Sequence, residues 1–247
     1  MDYLWPVVTG LLTGAAGFLA VRHFYRLGLS RGKKRGADEF LDFILAGGYD
    51  QRVKAFRELN PKAQKHQVVF VGDSITQDYP LSEHFPERVT YNRGIGGDTT
   101  VGLARRLEES VFALEPETVV LLIGTNDLAL LHSTPEEVVS RIGGILGAIR
   151  ARLPRTRILL ESVYPVLPDA GQTTREGRSN EDIRAINARI AAFPDIRYVD
   201  LYSRLADSQG CLRSEFTVEG LHINQAGYSL ITETLRPFLN EKKDGKD

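Results

Sequence analysis

The sequence predicts an α/β fold in which a parallel sheet lies between layers of helices. Three observations support this fold class: short apolar runs recur along the chain, helical patterns separate them, and small or polar residues follow the ends of the runs. Continuous apolar runs of this kind are typical of strands that are buried on both faces of a parallel sheet. Alternation of strands with helices then indicates a doubly wound arrangement, in which a site lies beyond the carboxyl ends of the strands.

The size and composition of the chain suit one such domain with a short extra segment. The chain has 247 residues, of which 42% are hydrophobic and 26% are charged. The formal net charge is -1, so no overall basic field would attract nucleic acid, and we expect no nucleic-acid partner. Cys211 is the only cysteine, which excludes an intrachain disulfide and a structural zinc site of the multi-cysteine kind.

The N-terminal residues form a separate segment. Residues 3–21 carry no charged side chain, and a run of this length is about long enough to span a bilayer as a helix. Lysines and arginines, with no acidic residue among them, follow in residues 22–35. We therefore predict a single-pass membrane anchor over residues 1–36, with the rest of the chain on the cytoplasmic side. A buried helix, or a signal peptide that would make the protein secreted or extracytoplasmic, is the alternative.

Helical patterns and apolar runs alternate along the rest of the chain. We predict a helical linker over residues 37–65, interrupted at Gly47-Gly48, then the main domain over residues 66–240 and a frayed, charged tail over residues 241–247. The predicted strands cover residues 68–71, 89–91, 119–123, 158–160 and 198–199, and the predicted helices cover residues 99–110, 135–153, 180–193 and 224–239. Thr134 and Pro135 are a good start for the second of these helices, as N-cap and first residue.

Three successive strand ends carry residues that suit a catalytic site. G-D-S at residues 72–74 follows the first strand, residues 92–98 follow the second, and G-T-N-D at residues 124–127 follows the third. A serine at the start of a helix presents its hydroxyl near the positive helix end. Gly97 can bring a backbone N–H close to a ligand, and the Asn126 amide can donate to a developing oxyanion. Each motif alone would favour a simple turn after a strand, and only the three in register indicate a site.

Ser74 requires a general base, because a serine hydroxyl is a poor nucleophile at neutral pH. Of the five histidines, His222 lies in a loop directly before the last predicted helix, whereas the others lie before the sheet or in polar loops. Glu219 precedes it by three positions and could orient its ring, as the third member of a triad does. We therefore predict Ser74 as nucleophile, His222 as base and Glu219 as the orienting carboxylate.

These blocks together resemble the SGNH/GDSL hydrolase family. In that family the nucleophile lies in G-D-S, and the oxyanion hole takes the nucleophile's own N–H, a glycine N–H and the asparagine of G-x-N-D. The matching residues here are Ser74, Gly97 and Asn126. The stretch over residues 92–100 looks most like the branch that contains platelet-activating-factor acetylhydrolase. The resemblance covers roughly residues 66–240 and implies a flavodoxin-like three-layer sandwich of about five parallel strands, with no metal or organic cofactor.

The fourth block departs from the family's D-x-x-H, because it has Glu219 in the place of aspartate. Glutamate is longer by one methylene group and can still accept a hydrogen bond from Nδ1 of His222, since it serves as the third member in some hydrolase triads. The alternative is a Ser-His dyad in which a backbone carbonyl orients the ring.

The resemblance implies a serine esterase or lipase that hydrolyses a carboxylic ester through an acyl-enzyme on Ser74. A membrane anchor would bring the site near lipid, which favours a lipid or lysolipid ester as the partner, with a wall of the pocket formed by the loop over residues 164–180. The alternatives are a carbohydrate O-acetylesterase and, from a different class, a catalytically silent SGNH-like binding module. Nothing in the sequence indicates an oligomeric state.

Overall fold

The computed structural model of the chain describes residues 47–168 and 177–241. The predicted N-terminal hydrophobic helix, the membrane anchor and nearly all of the predicted frayed tail lie outside these ranges. Among the helices that fall inside them, none is both long enough and apolar enough to cross a membrane. The chain divides into one unit over Met1–Gly48 and a second over Tyr49–Asp247, and the architecture given below is that of the second unit.

A five-stranded parallel sheet forms the centre of the second unit, which confirms the predicted α/β class. Its strands are β1 (Val68–Gly72), β2 (Thr90–Gly94), β3 (Thr118–Leu122), β4 (Arg157–Glu161) and β5 (Arg197–Val199). They are arranged in the order β2-β1-β3-β4-β5, and all neighbouring strands pair in parallel. This is the strand order of flavodoxin-like sheets, which carry their sites at the carboxyl edge.

Helices pack on both faces of the sheet. The helices of the second unit are α1 (residues 49–59 of this unit), α2 (Ser74–Gln77), α3 (Leu81–His84), α4 (Thr100–Arg105), α5 (Leu107–Ser110), α6 (Thr125–Leu130), α7 (Pro135–Arg152), α8 (Asn180–Ile190), α9 (Tyr202–Leu205) and α10 (Gln225–Asn240). Alternate residues of β3 face opposite cores: Val119 and Leu121 pack in the cluster that includes α7 and α8, whereas Val120 and Leu122 pack in the cluster that includes α10. The result is a three-layer sandwich.

Two of the predicted helices begin where their capping residues indicate. Thr134 and Glu137 form a reciprocal capping box before α7, and the side chain of Asn224 caps α10 by accepting from the N–H of Gly227. Two other predictions were wrong. The helix predicted over residues 99–110 is broken at Arg106, between α4 and α5, and Gly47 and Gly48, where an interruption was predicted, are helical.

The turn after β1 is packed tightly between its neighbouring strands, and this fixes the position of Ser74. A Cβ atom on Gly72 would lie 2.2 Å from the backbone oxygen of Leu122 in β3. A Cβ atom on Gly94, at the end of β2, would lie 2.2 Å from the backbone nitrogen of Gln77 in α2. Glycine is therefore required at both positions for α2 to approach the sheet so closely.

Candidate active site

Ser74 and His222 meet at the carboxyl edge of the sheet. Ser74 is the first residue of α2 and directly follows β1, while His222 lies in the loop before α10. The Ser74 Oγ and His222 Nε2 atoms are 2.9 Å apart, although 148 positions separate the two residues in the sequence. Both side chains are partly exposed, so a substrate can reach the hydroxyl.

Glu219 contacts His222 through both the ring and the backbone. Its Oε1 atom contacts Nδ1 of the ring, and its two carboxylate oxygens lie 3.2 and 3.3 Å from the backbone nitrogen of His222. The loop itself is closed by Thr217, whose Oγ1 donates to the His222 carbonyl at 2.7 Å and accepts from the Gly220 N–H at 2.8 Å. The carboxylate, and not a backbone carbonyl, therefore faces Nδ1.

The contact between Glu219 and His222 shifts the pKa values of both groups toward the charged pair. Burial would lower the pKa of His222, but the hydrogen bond and the negative charge of Glu219 outweigh it and raise the pKa above its usual value. Burial would likewise raise the pKa of Glu219, but its interactions with His222 lower it. The arrangement thus favours an imidazolium at this position, which is the form that a general base takes after it accepts a proton.

The loop that carries Gly97 packs against the turn that carries Ser74, because a Cβ atom on Gly96 would lie 3.9 Å from the Cβ atom of Ser74. The loop that contains Gly97 is held against the first strand by a bond of 3.1 Å from the Ile95 N–H to the Gly72 carbonyl. Gly97 itself has a φ of 73°, a conformation that favours glycine. Asn126 is buried in the first turn of α6, and its Nδ2 donates to the carbonyl of Asp98 at 2.9 Å.

A buried ion pair, which the sequence did not reveal, holds the turns of the site together. Arg106 is fully buried, and its Nη2 lies 2.7 Å from the carboxylate of Asp98. The same guanidinium donates to the carbonyls of Gly72 at 2.8 Å and Arg93 at 2.7 Å. One side chain therefore links the ends of β1 and β2 to the loop that carries Gly97.

Two further residues were not identified from the sequence. Asp127, the last residue of the G-T-N-D block, is fully buried and accepts from the Thr100 N–H at 2.9 Å, so it joins α6 to α4. Arg178, in the loop predicted to form a wall of the pocket, donates to Asn126 Oδ1 at 2.7 Å and to Thr125 Oγ1 at 3.1 Å. Across residues 47–168 and 177–241, no group of three or more His, Cys, Asp or Glu side chains is arranged to hold a metal ion.

Comparisons with known proteins match this region of the chain. A family model described as the GDSL-like Lipase/Acylhydrolase family matches residues 70–230. Platelet-activating factor acetylhydrolase IB subunit alpha1 of Rattus norvegicus is 27% identical over 184 residues, which are 72% of this chain and 77% of the relative.

Solved structures give similar matches. A candidate platelet activating factor from Streptococcus pneumonia superposes with a TM-score of 0.78 at 30% identity, covering 83% of this chain and 99% of its own. A candidate acylhydrolase from Bacteroides fragilis NCTC 9343 superposes with a TM-score of 0.66 at 26% identity, and the match covers 74% of this chain and 93% of the acylhydrolase.

Proposed function

Because the chain belongs to the GDSL-like lipase/acylhydrolase family and is therefore an ester hydrolase, we propose that it acts through an acyl-enzyme formed on Ser74. The observation that carries this proposal is the separation of 2.9 Å between Ser74 Oγ and His222 Nε2, with the Glu219 carboxylate at the other ring nitrogen. In the first half-reaction, neutral His222 accepts the hydroxyl proton while Oγ attacks the ester carbonyl carbon. The imidazolium then donates that proton to the leaving alcohol as the ester C–O bond breaks.

The second half-reaction releases the acid and restores the enzyme. Water attacks the acyl carbonyl while His222 takes one of its protons, and the proton then returns to Oγ as the Ser74 ester bond breaks. In both halves a negative charge develops on the carbonyl oxygen. We assign its stabilisation to the N–H groups of Ser74 and Gly97 and to the side-chain amide of Asn126, because preorganised donors of this kind stabilise the transition state more than the ground state.

Replacement of the proposed nucleophile tests the mechanism. Ser74→Ala should abolish the turnover of p-nitrophenyl acetate and the labelling by a fluorophosphonate probe, because no hydroxyl remains to be acylated. Ser203→Ala is the matched control, since Ser203 is an exposed serine on α9 that bonds to Asp200, and it should keep full activity and labelling. An active, labelled Ser74→Ala protein would overturn the assignment.

For the substrate, we propose a lipid or lysolipid ester. The name of the Rattus norvegicus relative assigns to that protein the removal of an acetyl group from platelet-activating factor, and this supports a lipid substrate here. The experiment compares kcat/KM for p-nitrophenyl esters from acetyl to palmitoyl, for a lysophospholipid and for an O-acetylated sugar. A marked preference for the sugar acetate would favour a carbohydrate O-acetylesterase instead.

We further propose that residues 3–21 anchor the protein in a membrane, which would bring the site near such a substrate. The support is the uncharged run itself and the basic residues that follow it. The full chain should remain with the membrane fraction after carbonate extraction, whereas a variant that lacks residues 1–36 should be released and still be active. Release of the full chain would contradict the anchor, and cleavage of the segment would indicate a signal peptide.

A further inference from the structure

Arg178 contacts the oxygen of the Asn126 side-chain amide, whereas the group proposed to donate to the oxyanion is the amide nitrogen. We propose that Arg178 is a positioning residue, which fixes the orientation of the Asn126 amide and strengthens its remaining N–H as a donor. The inference rests on the proposed function, because it assumes that Asn126 stabilises the oxyanion. Neither the sequence pattern nor the family comparison assigns a role to this arginine.

The contacts of the amide determine which of its ends is the oxygen. Its Oδ1 atom accepts from Nη2 of Arg178 at 2.7 Å, and its Nδ2 atom donates to the carbonyl of Asp98 at 2.9 Å. A guanidinium can only donate and a backbone carbonyl can only accept, so the opposite orientation of the amide would bring donor against donor and acceptor against acceptor. One N–H of Nδ2 is then left for a substrate oxygen.

The guanidinium is itself held in place, which a positioning role requires. Its Nε atom donates to Thr125 Oγ1 at 3.1 Å, so two neighbouring residues on α6 fix the plane of the group. Burial lowers the pKa of Arg178, while the negative charges of Asp73 and Glu219 favour its charged form. A charged donor on the amide oxygen withdraws electron density from the amide nitrogen, and the remaining N–H becomes a stronger donor.

A double-mutant cycle tests whether Arg178 acts through Asn126. With p-nitrophenyl acetate as substrate, Asn126→Ala should lower kcat by about 10²–10³, as expected for the loss of one oxyanion donor. Arg178→Met should lower kcat by about 10-fold with little change in KM, because the contact would act on the transition state. In the double variant the arginine change should lower kcat by less than about 2-fold relative to Asn126→Ala alone, since the group through which it acts is gone.

The controls separate positioning from stability and from direct binding. Arg184→Met changes an exposed arginine of α8 that contacts Tyr202, and it should leave kcat unchanged. Arg178→Lys keeps a charged donor without the planar fork and should recover part of the lost kcat. If Arg178→Met does not fold, as judged by its thermal unfolding, Arg178→Lys and Arg178→Gln take its place in the same cycle.

The kinetics of the single and double variants distinguish a positioning role for Arg178 from an independent role and from direct binding of the substrate. If the effects of Arg178→Met and Asn126→Ala multiply in the double variant, Arg178 acts independently of Asn126 and the positioning role is wrong. A rise in KM with an unchanged kcat would instead identify Arg178 as a group that binds the substrate, and would also overturn the proposal. Full activity of the Asn126→Ala single variant would show that Asn126 does not stabilise the oxyanion. The proposed function would then fail at Asn126, and this result can be told apart from one in which only the role of Arg178 is wrong.

Discussion

At the scale of single residues, Glu219 is placed to control the protonation of His222. It bonds the ring nitrogen and the backbone N–H of the same residue, so one carboxylate sets both the orientation of the imidazole and its affinity for a proton. The sequence indicated that this position departs from the family's aspartate. It could not indicate where the longer side chain would end, because that depends on the turn closed by Thr217.

The pH dependence of activity should report this contact. His222 must be neutral to accept the Ser74 proton, and its pKa is raised, so kcat/KM should fall as the pH decreases, with a midpoint above the usual value of about 6.5. Glu219→Gln removes the negative charge, so the midpoint should move to lower pH. The maximal kcat should also fall, by up to about 10⁴-fold, which is the loss caused by the corresponding Asp-to-Asn change in a serine-protease triad. Profiles of the two proteins that superimpose after scaling would show that the carboxylate does not act on His222.

At the scale of secondary-structure elements, the strands and the grouping of the site residues at one sheet edge could be predicted, because both depend on local sequence. Strands buried on both faces read as apolar runs, and parallel strands bring their carboxyl ends to one edge, so Ser74, Gly97 and Asn126 could be grouped from their positions alone. Arg106 and Arg178 could not be found in this way. Their partners lie 34 and 52 positions away at Gly72 and Asn126, and an arginine in a helical pattern or in a polar loop is usually solvated.

Arg106 should therefore contribute far more to the free energy of unfolding than the adjacent Arg105 does. Arg106→Met would leave the buried carboxylate of Asp98 without its counterion, and we expect the free energy of unfolding to fall by about 3–5 kcal/mol, the usual effect of breaking a buried pair. Arg105→Met is the matched control, because Arg105 is the adjacent arginine and is exposed; it should change stability by less than about 0.5 kcal/mol. Urea unfolding of the two variants measures the difference, and equal losses would refute the linking role.

At the scale of the whole molecule, two of the buried carboxyl groups, those of Asp73 and Glu161, hold their protons to unusually high pH. Asp73 is fully buried; its Oδ1 accepts from the Ile75 N–H at 2.9 Å, and its Oδ2 has no hydrogen-bond partner in the part of the chain that the structure describes. Glu161, at the end of β4, accepts from the Tyr164 hydroxyl. Burial raises the pKa of Asp73 to about 7 and that of Glu161 to about 8. The folded protein therefore binds protons that the unfolded chain releases at lower pH.

The stability of the protein should consequently decrease as the pH rises toward neutrality, and Asp73→Asn should remove part of that decrease. The pKa of Asp73 is higher in the folded state, at about 7, than its usual 3.8. Between these values the unfolded chain has lost the proton and the folded state still holds it, so each rise in pH favours unfolding. Above pH 7 the loss of unfolding free energy that is caused by Asp73 is complete, and it is on the order of 4 kcal/mol.

Asparagine carries no charge at any pH, so the free energy of unfolding of Asp73→Asn relative to wild type should increase from about pH 4 to pH 7 and then level off. Urea unfolding at pH 5 and pH 8 measures this difference, with Glu161 present in both proteins. Asp195→Asn is the control, because Asp195 is an exposed residue of the loop before β5 and makes the same Asp-to-Asn change away from the buried groups; it should not reproduce the increase. If the difference for Asp73→Asn is the same at both pH values, the buried carboxyl does not titrate as its environment indicates.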